Sequence, residues 1–324
     1  MDETTTQDKV KSDERYTLLH NHGFVGLVET MGSDQSIEKA ARVSYAGNKE
    51  VRTQKETTAL IRYLMRHRHT SPLEMGELVF HIKLPIFVMR QLVRHRTASL
   101  NELSGRYTEL PWEFYEPDDN HIKPQDSNNK QGSAGEFTII ESARFLNSIK
   151  NGNEQAYDRY IKLLNPPSGL DQDGLSRESA RMVLPVSIYT ECYWKCDLKN
   201  FMGFLSLRCD DHAQLEIRDY AWAMYKLAIP HFPISFNAWK DYQYDSISFS
   251  AMEQNMLLDM IFTETSIEEA TGSPVKSPSP SKRELQEFND KLCKLHPNFK
   301  LLVSQLKKDE TPLPTPMPNM EDVP

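Results

Sequence analysis

The segment RHRTASLNELSGRY, Arg94 to Tyr107, packs three arginines, a histidine, a glutamate, two serines, an asparagine and a tyrosine into one short stretch. An amphipathic run, Pro85 to Val93, leads into it. These residue types suit a pocket that holds phosphates and a hydrogen-bonding ring. Arginine presents two donors in a fixed plane to phosphate oxygens. Serine, asparagine and tyrosine add orienting hydrogen bonds, and the glutamate pairs with an arginine or accepts from a ligand hydroxyl. A solvated basic helix end is the alternative for an isolated Arg-His-Arg. Here polar residues continue at close spacing without the Lys/Glu mixture of an ordinary exposed face.

Around this segment the pattern is of mixed α/β type. Thr53 to Arg66 carries apolar residues at helical spacing, with threonines available as caps. Glu77 to Leu84 alternates, with Leu78, Phe80, Ile82 and Leu84 on one face, as a half-buried strand does. Pro85 suits the first turn of a following helix that carries Arg90, Gln91 and Arg94. After Arg96 the periodicity fades, which places the rest of the segment on a loop. Helices are expected over Glu136 to Leu164 and Ser176 to Leu184. Pro185 to Cys196 alternates as a strand, with Val186, Ile188, Thr190, Cys192 and Trp194 on one side. Asp197 is a candidate N-cap for one long helical region reaching Ile229, stopped by Pro230. The domain organisation expected is a mobile tail over 1–15, a catalytic-sized body over 16–246 with a flexible surface loop at 117–135, and an extension over 247–324. That extension holds a Ser/Pro-rich linker at 271–282, a helix at 283–307 and a disordered end.

The chain has 324 residues, 39% of them hydrophobic, enough for a sizeable core. A net charge of -8 argues against general nucleic-acid binding, which needs a basic surface. Arginine clusters on an acidic protein suggest a focused anion pocket instead. Cys192, Cys196, Cys209 and Cys293 have spacings that suit neither a zinc site nor a disulfide framework, and no metal is expected. No long apolar run or signal-peptide core is seen, so a soluble, intracellular, cytoplasmic protein is expected, with no membrane association.

The segment resembles the motif of the flavin-dependent thymidylate synthases. That motif reads Arg-His-Arg, two residues, Ser, one, Asn-Glu, one, Ser, one, Arg-Tyr. Its fixed positions are met by Arg94, His95, Arg96, Ser99, Asn101, Glu102, Ser104, Arg106 and Tyr107. The likeness runs from about Gly23 to about Tyr242 and includes AARVSY (Ala40 to Tyr45), HTSPLEM (His69 to Met75), SARMVLP (Ser179 to Pro185) and LSLRCDDHAQLEIRDYA (Leu205 to Ala221). It implies a single α/β domain with a central, largely antiparallel sheet flanked by long helices, assembled as a homotetramer with shared active sites. The implied reaction is reductive methylation of dUMP to dTMP, with 5,10-methylenetetrahydrofolate as carbon donor, NADPH as reductant and noncovalent FAD as cofactor.

The resemblance also implies roles for residues. Arg208 would stabilise charge on the uracil ring. Gln91, Arg94, Glu102, Ser104, Gly105, Arg106, Tyr107, Arg181 and Arg208 would bind dUMP. Ser44, His69, Ser71, Glu74, Arg94, His95, Arg96, Glu102, Asp197, Lys199, Gly203 and His212 fall at flavin-binding positions. Taken without the family, His69 to Met75 reads first as a capped loop, Arg208 as half of a salt bridge, and Arg181 as a helix-surface charge; the resemblance reverses the first two readings. Spacing alone puts Arg208 and His212 on one helix face, four residues apart. The family often has Asn, Arg, and Asn or His where this chain has Asp197, Lys199 and Gly203, and Gly203 brings no side chain to a flavin. Two other functions stay open at this point: an inactive flavin- or nucleotide-binding homologue, and a partner-binding protein acting through its C-terminal tail.

Cysteine bears on mechanism too. Cys192 and Cys196 fall on the apolar face of a strand, the setting of inert core thiols, and Cys209 points about 100° away from Arg208 around a helix. None has the surroundings of an activated nucleophile.

Overall fold

The computed structural model describes residues 10–45, 53–127, 130–166, 173–261 and 290–292. Residues 1–9 of the expected tail, the linker at 271–282, the expected helix at 283–307 apart from 290–292, and the chain end lie outside them. Two compact units are present, Met1–Tyr244 and Asp245–Pro324.

The first unit is built on a five-stranded sheet in the order β1-β2-β3-β5-β4, with every pairing antiparallel. The strands are β1 (Tyr16–Leu19), β2 (Gly23–Met31), β3 (Glu77–Pro85), β4 (Ser99–Glu102) and β5 (Tyr189–Asp197). The period-two pattern of β3 sets its faces. Leu78, Phe80, Ile82 and Leu84 join Val25, Leu27, Cys192, Trp194 and Cys196 in one core. The opposite side of β3 carries His81 and Lys83, which are buried but paired. His81 lies between the Tyr16 hydroxyl and the Glu191 carboxylate, at 3.0 and 2.7 Å, and Lys83 meets Glu113 at 2.6 Å.

The helices are α1 (Asp34–Arg42), α2 (Gln54–Arg66), α3 (Ile86–Leu92), α4 (Ile139–Leu164), α5 (Arg177–Ala180), α6 (Leu198–Arg208), α7 (Leu215–Ala228) and α8 (Pro233–Trp239). All but α4 and α5 contribute to the core on the apolar face, while Tyr157 of α4 packs on a separate cluster of Leu110, Phe114 and Ile188. Phe201 and Phe204 of α6 lie 5.2 and 5.4 Å, ring to ring, from Phe80 and Trp194. This anchors α6 by the face opposite to its exposed positions. Asp34, at the start of α1, accepts from the backbone N–H groups of Ile234 and Ser235, so a carboxylate sits at the N-terminus of α8.

Several local readings hold in detail. Thr53 and Glu56 form a reciprocal capping box on α2, and Thr138 and Glu141 do the same on α4. Asp197 caps α6 by accepting from Asn200 N–H at 2.8 Å. Others are corrected. The segment after Arg96 is not all loop, because Ser99–Glu102 forms edge strand β4 on β5. The region from Asp197 to Ile229 is not one helix: α6 ends at Arg208 and α7 begins at Leu215. Between them the Asp210 carboxylate accepts from the His212 N–H at 2.8 Å, a local bond that competes with helical pairing. Regular pairing of β5 starts only at Tyr189, and Val186 is exposed. Pro85 occupies the N-cap of α3 with extended backbone, one residue before the first turn.

In the second unit α9 (Ala251–Ile261) carries Glu253, which caps its own N-terminus through Ser250 N–H and pairs with Lys291 at 2.6 Å.

Candidate active site

The candidate residues fall into four groups. In the first, α3 ends at Leu92 and the following turn presents His95, while Arg208 closes α6. Arg208 Nε donates to His95 Nε2 at 3.1 Å, and its two Nη atoms reach the side-chain and backbone oxygens of Gln91, each at 3.5 Å. Gln91 Nε2 in turn donates to Gln214 Oε1 at 2.5 Å. The His95 ring stands edge-on to Phe204 at 4.9 Å. Burial, and then the Arg208 cation, hold the His95 pKa down at about 4. The imidazole is therefore neutral near pH 7, and Nε2 can accept only in the tautomer protonated on Nδ1. Burial lowers the Arg208 pKa as well, from a starting value so high that the guanidinium stays charged. A half-buried cation at a helix C-terminus also gains from the helix dipole.

Glu102 ends β4 and accepts from the Thr190 hydroxyl at 2.8 Å. It lines a cavity of about 680 Å³ with Lys83, Asn101, Glu113, Thr190 and Tyr193.

The third group is the turn from Ser104 to Tyr107. Ser104 Oγ accepts from Arg106 N–H at 3.3 Å, and Tyr107 N–H reaches the Ser104 carbonyl at 3.0 Å. Arg106 pairs with Glu178 at 3.2 Å, and Arg181 Nε donates to the Glu178 carbonyl at 3.3 Å. A Cβ on Gly105 would stand 3.3 Å from Arg181 Cδ and 3.2 Å from Leu110, so glycine lets the Arg181 stem lie against the turn. Tyr107 is 80% exposed. No neighbouring base activates Ser104 among the described residues, where its hydroxyl only accepts from Arg106 N–H.

The fourth group lies on α6, on the short 3-10 helix Ser71–Met75 that packs against it, and, apart from these, at His69 and Ser44. Glu74, on the short 3-10 helix Ser71–Met75, lies 3.7 Å from Lys199 Nζ. A Cβ on Gly203 would have no atom within 4 Å. Ser71 is exposed, as is Ser44 in the middle of the 3-10 turn Val43–Tyr45 that follows α1. His69 follows Arg68, whose φ of +57° closes the C-terminus of α2 in the left-handed conformation. Its ring meets Tyr63 edge-on at 5.9 Å.

Arg208 and His212 do not share a helix face. The helix stops at Arg208, and His212 is an exposed turn residue bound to Asp210. Three partners carried no sequence signal: Gln214 for Gln91, Thr190 for Glu102 and Glu178 for the Arg106/Arg181 pair. Arg94 and Arg96 are exposed, and among the described residues neither guanidinium has an ion-pair partner.

Cys192, Cys196 and Cys209 are buried free thiols. Burial pushes Cys192 and Cys209 up to about 12, and Cys196 higher still, so none is a thiolate near neutrality. Cys293 lies outside the described residues. Among the described residues no His/Cys/Asp/Glu group could hold a metal ion, and no helix is long and apolar enough to cross a membrane.

The family model described as thymidylate synthase complementing protein matches residues 26–234. The chain belongs to this family. Among its relatives, the flavin-dependent thymidylate synthase of Ruegeria pomeroyi is 44% identical over 83% of this chain and 85% of its own length. That of Dictyostelium discoideum is 42% identical over 86% and 87%. The one from Thermus thermophilus is 46% identical over 75% and 84%. Among solved structures, the UMP/dUMP methylase PolB of Streptomyces cacaoi, bound with 5-Br dUMP, superposes with a TM-score of 0.62 at 35% identity. The match covers 70% of this chain and 99% of that one. The span of the family model includes every group described above. They favour an enzyme of the thymidylate synthase complementing family over an inactive nucleotide-binding homologue or a protein acting through its tail.

Proposed function

We propose that this chain is a flavin-dependent thymidylate synthase that converts dUMP to dTMP. In this reading 5,10-methylenetetrahydrofolate gives the carbon, NADPH is the reductant and FAD is held without a covalent bond. The observation that carries the proposal is the Arg208 guanidinium, fixed by His95 and Gln91 beside the Arg-His-Arg segment.

The residues present fit a flavin. Arg94 and Arg96 offer guanidinium groups without a carboxylate partner among the described residues, as a pyrophosphate needs. Gly203 leaves open space on the exposed flank of α6, next to the Glu74–Lys199 pair. Ser44, His69, Ser71, Glu74, His95, Glu102, Asp197, Lys199 and His212 complete the proposed set. When bound, the flavin supplies the redox chemistry of the methylation.

The chain's own residues do the rest. Arg208 places positive charge against the uracil carbonyls, where negative charge grows as the ring ionises. His95, neutral and accepting, holds the Arg208 side chain in one orientation without adding a competing charge. Gln91 fixes the other end of the guanidinium. Ser104, Gly105, Arg106, Tyr107, Arg94 and Arg181 hold the nucleotide, and Glu102 sets register between the two ligands. In this reading the chain works as a homotetramer whose sites are shared between neighbouring copies. The protein is assigned to the cytoplasm.

The test is growth. A strain lacking thymidylate synthase and expressing this chain should grow without thymidine, and the Arg208→Ala form should not restore growth. Failure of the wild-type chain, produced in folded form, would overturn the proposal.

A further inference from the structure

The outer face of α2 carries a cationic stripe that the proposed chemistry leaves unused. Lys55, Thr58, Ala59, Arg62, Tyr63 and Arg66 recur at the spacing of one helix face and line a cavity of about 710 Å³ together with Tyr242. It is an open groove on the surface, not an enclosed pocket. Arg62 is tied down: it pairs with Asp241, donates to the Tyr242 hydroxyl at 3.0 Å and lies over that ring at 4.8 Å. Lys55 and Arg66 are exposed, and among the described residues neither has an ion-pair or hydrogen-bond partner on its side chain. The carboxylate closest in sequence, Glu56, turns back onto the Thr53 N–H at 2.9 Å.

An ordinary solvated helix face mixes signs at these spacings. Here three cations line the groove and no acid does, on a chain of net charge -8. Such a local exception focuses an anion. The stripe runs about 16 Å along the helix from Lys55 to Arg66, at about 1.5 Å per residue. Ring contacts link the far end of the groove to His69, one of the proposed flavin residues. Tyr63 stacks obliquely on His67 at 4.4 Å and meets His69 edge-on at 5.9 Å.

We propose that this groove binds the anionic extension of a co-substrate whose reacting end lies near His69, with Lys55 and Arg66 holding successive carboxylates or phosphates. The proposal rests on the activity proposed above. That activity offers two sources of the same polyanionic chemistry: a folate ending in linked glutamates, and the phosphates of NADPH.

Calorimetry on the full chain loaded with FAD separates them, using γ-linked tetraglutamate and 2′,5′-ADP as probes. At least one probe should bind, and the Lys55→Ala/Arg66→Ala double variant should weaken it by about tenfold or more. The probe that responds names the source, and a response from both supports the shared anion chemistry. Turnover of the double variant at saturating co-substrates should stay within about twofold of wild type, with the loss confined to KM for the matching co-substrate. If neither probe binds, or if the double variant binds both as wild type does, the groove is not an anion site. A wild-type chain that binds a probe in this groove and yet forms no dTMP would overturn the proposed activity and leave the groove standing.

Discussion

Arg208 Nε donates to His95 Nε2 at 3.1 Å, joining the last residue of α6 to the middle of the Arg-His-Arg segment. The two residues are 113 positions apart, and the bond fixes a cation on the edge of the candidate site with a neutral partner.

Arg208→Ala should lower turnover as well as dUMP affinity, because charge on the ring grows towards the transition state. Loss of one prepositioned electrostatic contact typically costs about 10²–10³ in kcat. Arg208→Lys should recover only part, since an ammonium cannot reach His95 and Gln91 with planar, fixed donors. Steady-state kinetics at saturating flavin and folate decide this. Wild-type turnover in Arg208→Ala at saturating dUMP would make the residue a binding arginine. Arg181→Ala, by contrast, should act mainly on KM for dUMP.

His95 gives a pH signature. The unfolded chain takes up the imidazole proton as pH falls through the ordinary value of 6.5, while burial and Arg208 keep the folded residue neutral down to about 4. Across that window acidification therefore favours the unfolded chain, so the residue's effect on stability worsens from pH 7 towards pH 4 and levels off below. His95→Asn should lose less stability than wild type between pH 7 and pH 5 in denaturant titrations. Equal losses in the two proteins would show that His95 does not resist protonation.

Much of the frame was legible in the sequence because it is set locally. The alternation of Glu77 to Leu84 marks β3, Thr53 and Glu56 write the capping box of α2, and Asp197 begins α6. Cys192 and Cys196 sit on the buried face that their alternation with Trp194 indicated. What was missed depends on distant partners or on bonds that pattern does not encode. β4 is short, polar and exposed, and exists because β5 supplies its hydrogen bonds. The break after Arg208 has no Gly or Pro and comes from Asp210 bonding His212. Gln214, Thr190 and Glu178 touch the motif residues only because the fold brings them there.

Cysteine should be dispensable. Single Cys192→Ala, Cys196→Ala and Cys209→Ala variants that fold should keep turnover close to wild type, because buried neutral thiols do not attack a ring. A fall of about a thousandfold in a folded variant, about 4 kcal/mol of transition-state stabilisation, would reinstate a thiolate mechanism.

Gly203 should be replaceable in the free chain. An added Cβ there has no atom within 4 Å, so Gly203→Ala meets no clash. It should stabilise α6 by about 0.5–1 kcal/mol in urea titrations without flavin. Destabilisation would mean that the space is filled. FAD titration of the same variant, with the yellow colour released on denaturation, reports how closely the ring approaches this flank.

The most direct measurement of the central proposal is tritium release from dUMP labelled at C5. The purified chain is assayed with FAD, NADPH and methylenetetrahydrofolate, and dTMP is followed in parallel. The expected result is tritium release matched by dTMP, lost when flavin is removed and restored when it is added back. Release and dTMP formation that persist without any flavin, or no dTMP from the folded, flavin-loaded chain, would contradict it.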